Sequence, residues 1–127
     1  MIIVGNGALV TRDKDRPFLP DGAVAIDDSG LICGVDQTSK LKKAYPKAEF
    51  VDAHGGVIMP GLINMHHHIY SAFARGLSLK GYDPKGFMDI LEGMWWRLDR
   101  ALNLEDSYHS ATATYLDCLR NGVTTVF

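Results

Sequence analysis

The sequence predicts an α/β fold, and three observations support this prediction. Residues 1–59 alternate short runs rich in Val and Ile with turns that contain Gly and Asp, a pattern typical of strands. Residues 60–127 begin with an apolar run, continue through segments with helical periodicity, and end in a β-branched run. A strand that follows a helix in this order is expected to pair with the first strand in a parallel sheet.

The N-terminal part contains four predicted strands and one short helix. The strands cover residues 2–11, 22–26, 31–35 and 50–52. Between the second and third, the residues Asp27 to Gly30 are typical of a hairpin turn, because Gly accepts the positive φ that tight turns require. The helix spans about residues 39–45 and ends before Pro46.

The C-terminal part begins with a strand predicted over residues 62–68. A helix is then expected to start with Asp83 as N-cap and Pro84 as its first residue. Five apolar residues recur at helical spacing and predict its apolar face. They are Phe87, Ile90, Leu91, Met94 and Leu98.

A second helix is predicted from about Asn103, with Asp106 three residues further on. It ends at Asn121-Gly122, a common C-terminal stop. Its apolar face would consist of Tyr108, Ala111, Tyr115 and Leu119. The β-branched residues 123–127 predict the last strand.

Composition and charge exclude several classes of function. Hydrophobic residues make up 46% and charged residues 22%, as in ordinary soluble globular proteins. Thirteen basic and fifteen acidic residues give a net charge of −2, whereas backbone binding of nucleic acid requires a basic excess. Neither nucleic acid nor an anionic membrane is therefore expected as a partner.

The N-terminus and the cysteines predict an intracellular protein. The chain begins without a basic segment, and no apolar run approaches the ~20 residues of a membrane span. We therefore expect a cytoplasmic protein without a signal peptide. Cys33 and Cys118 lack CxxC spacing, so both are expected to be free thiols, buried or half-buried.

Three consecutive histidines, His66 to His68, are the most informative residues. Alternate side chains of a strand share a face, so His66 and His68 would point to one side and His67 to the other. Two imidazoles on a rigid strand can bind one divalent ion, and zinc, iron and nickel all accept this ligand. The alternative is a chance cluster without a native metal, because a bare HxH motif is common.

The residues around this motif resemble the amidohydrolase superfamily. Asp-Ala-His-Gly at 52–55 leads through a short strand to Pro-Gly-Leu-Ile-Asn-Met-His-His-His at 60–68, as in the superfamily's N-terminal signature. Arg75-Gly76 and Asn-Gly-Val-Thr-Thr-Val at 121–126 are similar to its triazine hydrolase and cytosine or guanine deaminase branch. Tyr-Asp-Pro at 82–84 and Trp-Trp-Arg-Leu-Asp at 95–99 most resemble SsnA-type aminohydrolases.

This resemblance implies a (β/α)₈ TIM barrel preceded by part of a small β-sandwich domain. Residues 1–59 would form the N-terminal part of the sandwich, which a returning C-terminal stretch completes. Residues 60–127 would form the first βαβ segment of the barrel, with its first two strands. Such a barrel needs ~250 residues, so the sequence is expected to stop after the second strand.

The resemblance also implies the chemistry. His66 and His68 would bind a divalent metal ion, with zinc as first choice and iron or nickel as alternatives. The remaining ligands, from the fifth, sixth and eighth strands, and the catalytic acid are expected beyond Phe127. The metal would lower the pKa of a bound water, and hydroxide would attack an electron-poor ring or amidine carbon with release of ammonia. The substrate would be a small molecule, and the complete protein a homo-oligomer, expected to be a dimer.

Arg75 and Trp95 are assigned to the substrate region. Arg75 would hold a substrate carboxylate or brace a loop, and bracing is favoured. Trp95 and Trp96 lie about 100° apart on a helix, so one would face the core and the other the substrate mouth or a subunit interface. The alternative is that neighbouring segments partly bury both. Of the remaining histidines, His54 is expected to be solvated in a loop, and His109 to be a surface or interface residue on a helix.

Three hypotheses for the function remain open. The first is the N-terminal portion of a metal-dependent amidohydrolase that hydrolyses non-peptide C–N bonds and deaminates a heterocycle or amidine. The second is an inert truncated fragment that acts only by assembly with another chain. The third is a small metal-binding module, ranked last because no further ligand shares the face of His66 and His68. The 127-residue chain alone is expected to be inactive.

Overall fold

The first unit of the chain, Met1–Pro60, is built on a five-stranded mixed sheet in the computed structural model, which describes all 127 residues. Its strands are β1 (Ile2–Val10), β2 (Phe18–Ile26), β3 (Ile32–Gln37), β4 (Glu49–Asp52) and β5 (Val57–Ile58). β1 pairs antiparallel with β2 and parallel with β4 and β5, and β3 pairs antiparallel with β2. All four predicted strands are present, although β2 begins earlier than predicted.

The hairpin between β2 and β3 is confirmed at the predicted turn. The Asp27 carboxylate accepts the backbone N–H groups of Ser29 at 2.9 Å and Leu31 at 3.0 Å. Gly30 has a φ of +80°, the left-handed conformation that favours glycine. The turn residues alone therefore account for this connection.

The core of the first unit lies between the sheet and helix α1 (Thr38–Ala44). Leu41 of the helix packs on three buried sheet residues, which are Ile3, Ala23 and Ala25. Elsewhere in this unit, an open apolar cavity of about 290 Å³ is lined by residues such as Val4, Val24 and Ile58.

The second unit, Gly61–Phe127, joins a two-stranded parallel sheet to a set of helices. β6 (Leu62–Asn64) pairs with β7 (Val123–Val126), which confirms the predicted parallel pairing. Between them lie a 3₁₀ segment (Ile69–Ala74), α2 (Phe87–Ile90), a π-helical turn (Leu91–Trp95), α3 (Trp96–Ala101) and α4 (Leu104–Arg120). Strands and helices in this arrangement confirm the α/β class.

Helix α4 has the predicted ends. The Asn103 side chain accepts the N–H of Asp106 at 3.0 Å, and the Asp106 carboxylate accepts the N–H of Asn103 at 3.0 Å. This reciprocal cap satisfies two backbone donors of the first turn. At the other end, Gly122 adopts a φ of +74° after the C-cap Asn121.

The first predicted helix of this unit starts later than expected. Its N-cap is Gly86 rather than Asp83. The reason is Asp89, whose carboxylate accepts the N–H groups of Lys85 at 2.8 Å and Gly86 at 3.1 Å. A carboxylate in the first turn thereby pairs with the backbone N–H groups of the N-cap and of the residue before it.

Two burial expectations differ from the structure. Three of the four residues of the predicted apolar face of α4 are exposed, with Tyr108 at 69% and Leu119 at 68%, while Ser110 and Cys118 are buried. Cys33 is exposed, against the expectation of a buried or half-buried thiol, and Cys118 is buried as expected. Both thiols are free. None of the helices has the length and apolar character that a membrane span requires.

Gly61 is required by a close approach between β6 and β7. A Cβ at this position would lie 2.1 Å from Oγ1 and 2.7 Å from Cβ of Thr124. We expect Gly61→Ala to lower the free energy of unfolding by about 1–3 kcal/mol, the usual cost of overpacking. Urea unfolding measures this change. Gly34→Ala is the control, because the nearest atom to its added Cβ is Leu41 Cδ2 at 3.2 Å, the end of a flexible side chain, and an equal loss there would contradict the argument.

The exposed apolar side chains predict self-association of the isolated 127-residue chain. Leu104 is 91% exposed, Phe87 71% and Leu119 68%, and the strand edges are short and open. Sedimentation velocity should show concentration-dependent oligomers or aggregates. A monodisperse monomer that melts cooperatively would refute this prediction.

Candidate metal centre

The histidine motif begins just beyond the end of β6. The predicted strand over residues 62–68 is wrong in its second half, because β6 ends at Asn64. The Asn64 side chain accepts the N–H of His66 at 3.2 Å, a local turn that competes with the strand ladder. His68 follows with φ −127° and ψ 65°, just before the 3₁₀ segment. Strand alternation therefore does not determine how these side chains are arranged.

The rings of His66 and His68 nevertheless lie next to each other. Their centroids are 5.2 Å apart with an interplanar angle of 74°, and both residues are exposed. Zn–N bonds of about 2.0–2.1 Å place two imidazole centroids on a tetrahedral ion about 5 Å apart. The pair therefore fits two ligands of a single ion. No cluster of three or more His, Cys, Asp or Glu residues in the chain could hold a metal.

His67 differs from its two neighbours. Both of its ring nitrogens are buried and have no hydrogen-bond partner. An unsatisfied buried polar group of this kind costs about 1–3 kcal/mol. The two ring nitrogens of His67 are thus buried polar atoms without a partner in this chain.

Aromatic side chains surround the His68 ring. Trp95 is stacked on it, with centroids 5.5 Å apart and an interplanar angle of 25°. Tyr70 lies edge-on at 6.3 Å and 68°. Partial burial and the nearby Asp99 carboxylate raise the pKa of the Tyr70 phenol above its usual value. The structure therefore brings Trp95, one of the two predicted substrate-region residues, into contact with a predicted metal ligand.

The backbone that follows His68 is tied to helix α4 by one buried serine. Ser110 is 1% exposed, and its hydroxyl donates to the Ile69 carbonyl and accepts the Ala72 N–H, both at 2.7 Å. Closer to the motif, Ser71 N–H donates to the His68 carbonyl at 3.1 Å. Ser110 was not predicted from the sequence, because it is one of several small polar residues in a helix of mixed composition and nothing in the pattern distinguishes it.

Arg75 lies apart from these rings on the exposed end of the 3₁₀ segment. It lines a hollow together with Ala72, Phe73, Ala113, Thr114 and Asp117. Its N–H donates to the Ala72 carbonyl at 3.2 Å, and its guanidinium forms no ion pair within 4 Å.

The two remaining histidines are exposed, as expected. His54 lies in a turn, with Nδ1 3.6 Å from the Asp52 carboxylate. His109 lies on α4, with Nε2 3.8 Å from Glu105. Neither is part of a ligand cluster.

Comparison with known proteins identifies the family. Residues 57–127 match the model of the amidohydrolase family, and this stretch includes the histidine motif and the whole second unit. The chain therefore belongs to the amidohydrolase family.

Curated relatives are similar along nearly the whole chain. A 5'-deoxyadenosine deaminase of Methanosarcina barkeri is 32% identical over 123 residues, which are 97% of this chain and 26% of the relative. A 5-methylthioadenosine/S-adenosylhomocysteine deaminase of Nitratidesulfovibrio vulgaris is 33% identical over 122 residues, 96% of this chain and 26% of the relative. The chain thus spans about a quarter of the length of these relatives.

A solved structure shows the same fold. The atrazine chlorohydrolase of Arthrobacter aurescens, crystallised with zinc, superposes with a TM-score of 0.78 at 27% identity. The match covers 99% of this chain and 28% of that enzyme. The fold is therefore shared with part of an enzyme that was crystallised with zinc.

Ser110→Ala tests how the segment after His68 is held. The substitution leaves the Ile69 carbonyl and the Ala72 N–H without their partner, so we expect a loss of about 1–3 kcal/mol in the free energy of unfolding. Ser107→Ala is the matched control, because its hydroxyl donates only to the Asn103 carbonyl of its own helix. Urea unfolding of both variants measures the two losses in stability. Equal losses would argue against a special role of Ser110 in holding the segment after His68.

Proposed function

We propose that this chain is the N-terminal part of a metal-dependent amidohydrolase that deaminates the heterocycle of an adenosine-like compound. The observation that carries the proposal is the pairing of the His66 and His68 rings, 5.2 Å apart, within the stretch that matches the family. The substrate class is supported by the relatives, which are named as deaminases of 5'-deoxyadenosine and 5-methylthioadenosine. The bond broken would be a non-peptide C–N bond.

The two units would correspond to two domains of the complete enzyme. Residues 1–59 would form the N-terminal part of a β-sandwich, and residues 60–127 the first βαβ segment of a TIM barrel. The parallel pairing of β6 with β7 supports the barrel assignment, because adjacent barrel strands are parallel. The apolar cavity of about 290 Å³ in the first unit supports the sandwich, since a second layer would cover it.

His66 and His68 would hold the divalent ion, with zinc as first choice and iron or nickel as alternatives. Such an ion, when bound, lowers the pKa of a water molecule so that hydrolysis proceeds near neutral pH. Both imidazoles are exposed and can therefore receive an ion and further ligands. Those ligands and the proton-transferring acid would come from outside residues 1–127.

The substrate region would include Trp95 and Arg75. The contact between Trp95 and His68 supports the first assignment, because a substrate must approach the ion that His68 holds. Arg75 lies in the hollow beside α4, and its part in substrate binding stays a prediction. The small-molecule substrate, the homodimeric state of the complete protein and a cytoplasmic location are likewise proposals.

Replacement of the paired histidines tests the proposed chemistry. In the intact protein that contains this chain, His66→Ala or His68→Ala should remove most bound zinc. Release of ammonia from 5'-deoxyadenosine should fall by more than about 100-fold, because the ion contributes several kcal/mol to the transition state. The matched controls are His54→Ala and His109→Ala, both exposed and outside any ligand cluster. The assignment would be refuted if the His66 and His68 variants lost no more zinc than these two controls.

The mass of the native protein separates the enzyme from the other hypotheses. An antibody raised against residues 1–127 should detect a protein several times heavier than 14.0 kDa. A native protein of 14.0 kDa would contradict catalysis by this chain alone. A second chain would then have to supply the missing ligands.

A further inference from the structure

A π-helical turn interrupts the helical segment opposite the histidine motif. It spans Leu91–Trp95, between α2 and α3, and its last residue is Trp95. π-helical turns are rare and occur frequently at functional sites. Because the turn adds a residue to the helical repeat, it changes which side chain projects towards a given neighbour.

The side chain at the end of this turn contacts a predicted metal ligand. The indole of Trp95 lies nearly parallel to the His68 imidazole, with centroids 5.5 Å apart and 25° between the planes. Tyr70 and His66 approach the same imidazole edge-on, at 6.3 Å and 5.2 Å. Three aromatic rings therefore surround the His68 imidazole, and Trp95 is the one that lies nearly parallel to it.

Metal-ligating histidines are usually oriented by a hydrogen bond from the second ring nitrogen to a carboxylate or carbonyl group. The His68 backbone carbonyl accepts hydrogen bonds from the N–H and the hydroxyl of Ser71. The His68 ring forms no hydrogen bond within this chain. The orientation of the ring therefore depends on its aromatic neighbours within this chain. Trp95 presents the largest of these surfaces.

We propose that Trp95 is a positioning residue for the metal ligand His68. The indole stacks on the imidazole and keeps its plane in the orientation in which a ring nitrogen faces the shared ion. The π-helical turn is the device that presents this indole. The inference rests on the proposed function, since it requires His66 and His68 to be ligands.

The neighbouring tryptophan provides a matched comparison. Trp96 follows Trp95 directly, is 38% exposed, and makes no aromatic contact with His66 or His68. The two residues have the same side chain and are adjacent in the chain. A difference between their variants therefore reports on the stacking and not on general loss of an indole.

The experiment measures zinc affinity in the intact protein by competition with a chromophoric chelator. Trp95→Leu should weaken zinc binding by about 10–100-fold, the usual effect of losing a group that orients a ligand. Trp95→Phe keeps an aromatic face and should recover most of the affinity. Trp96→Leu should leave it unchanged. The visible absorption of the cobalt-substituted protein should shift in Trp95→Leu only, because that spectrum responds to ligand geometry.

Two outcomes overturn the inference. One is a zinc affinity and cobalt spectrum in Trp95→Leu equal to those of Trp96→Leu. The other is a Trp95→Phe variant as weak as Trp95→Leu. If Trp95→Leu does not fold, as judged by circular dichroism, Trp95→Met carries the same expectation with a longer and more flexible apolar side chain. Failure of the proposed function has a different signature, since His68→Ala would then bind as much zinc as the unchanged protein.

Discussion

The parallel pairing of β6 with β7 is the contact on which the rest of the second unit depends. It joins Leu62–Asn64 to residues some sixty positions later, and Phe127 N–H extends it by donating to the Asn64 carbonyl at 3.1 Å. Gly61 lies against Thr124 at this point, so the chain enters β6 where a side chain would not fit. The strand places the histidine motif at its carboxyl end, the end at which sites of parallel α/β proteins are found.

Local sequence signals were sufficient to predict the turns and caps whose hydrogen bonds are made within a few residues. The Asp27 turn and the Asn103–Asp106 cap each satisfy their backbone groups with side chains a few residues away, so no distant contact decides them. The family resemblance rests on an ordered set of residues from the Asp-Ala turn to the paired histidines. It is confirmed by a family match that begins at residue 57 and includes the histidines.

The geometry of the site was less predictable because it depends on competing or distant contacts. Asn64 ends the strand by accepting the His66 N–H, so the alternation argument for His66 and His68 used a backbone that is absent there. The π-helical turn at Leu91–Trp95 has no period-based signal, since it breaks the period. The exposed face of α4 shows the same limitation, because apolar periodicity predicts a face but not what covers it.

Ser110 and Trp95 both hold the histidine motif, one through the backbone and the other through a side chain. Ser110 fixes the backbone after His68 through two hydrogen bonds, whereas Trp95 contacts the ring itself. A ligand needs both, because a fixed backbone still leaves the imidazole free to rotate about its side-chain bonds. An exposed pair of histidines, held in this way before an ion arrives, loses less conformational entropy on binding than a mobile pair would. In the proposed site, this order would allow a short, exposed segment beyond a three-residue strand to present two ligands to one ion.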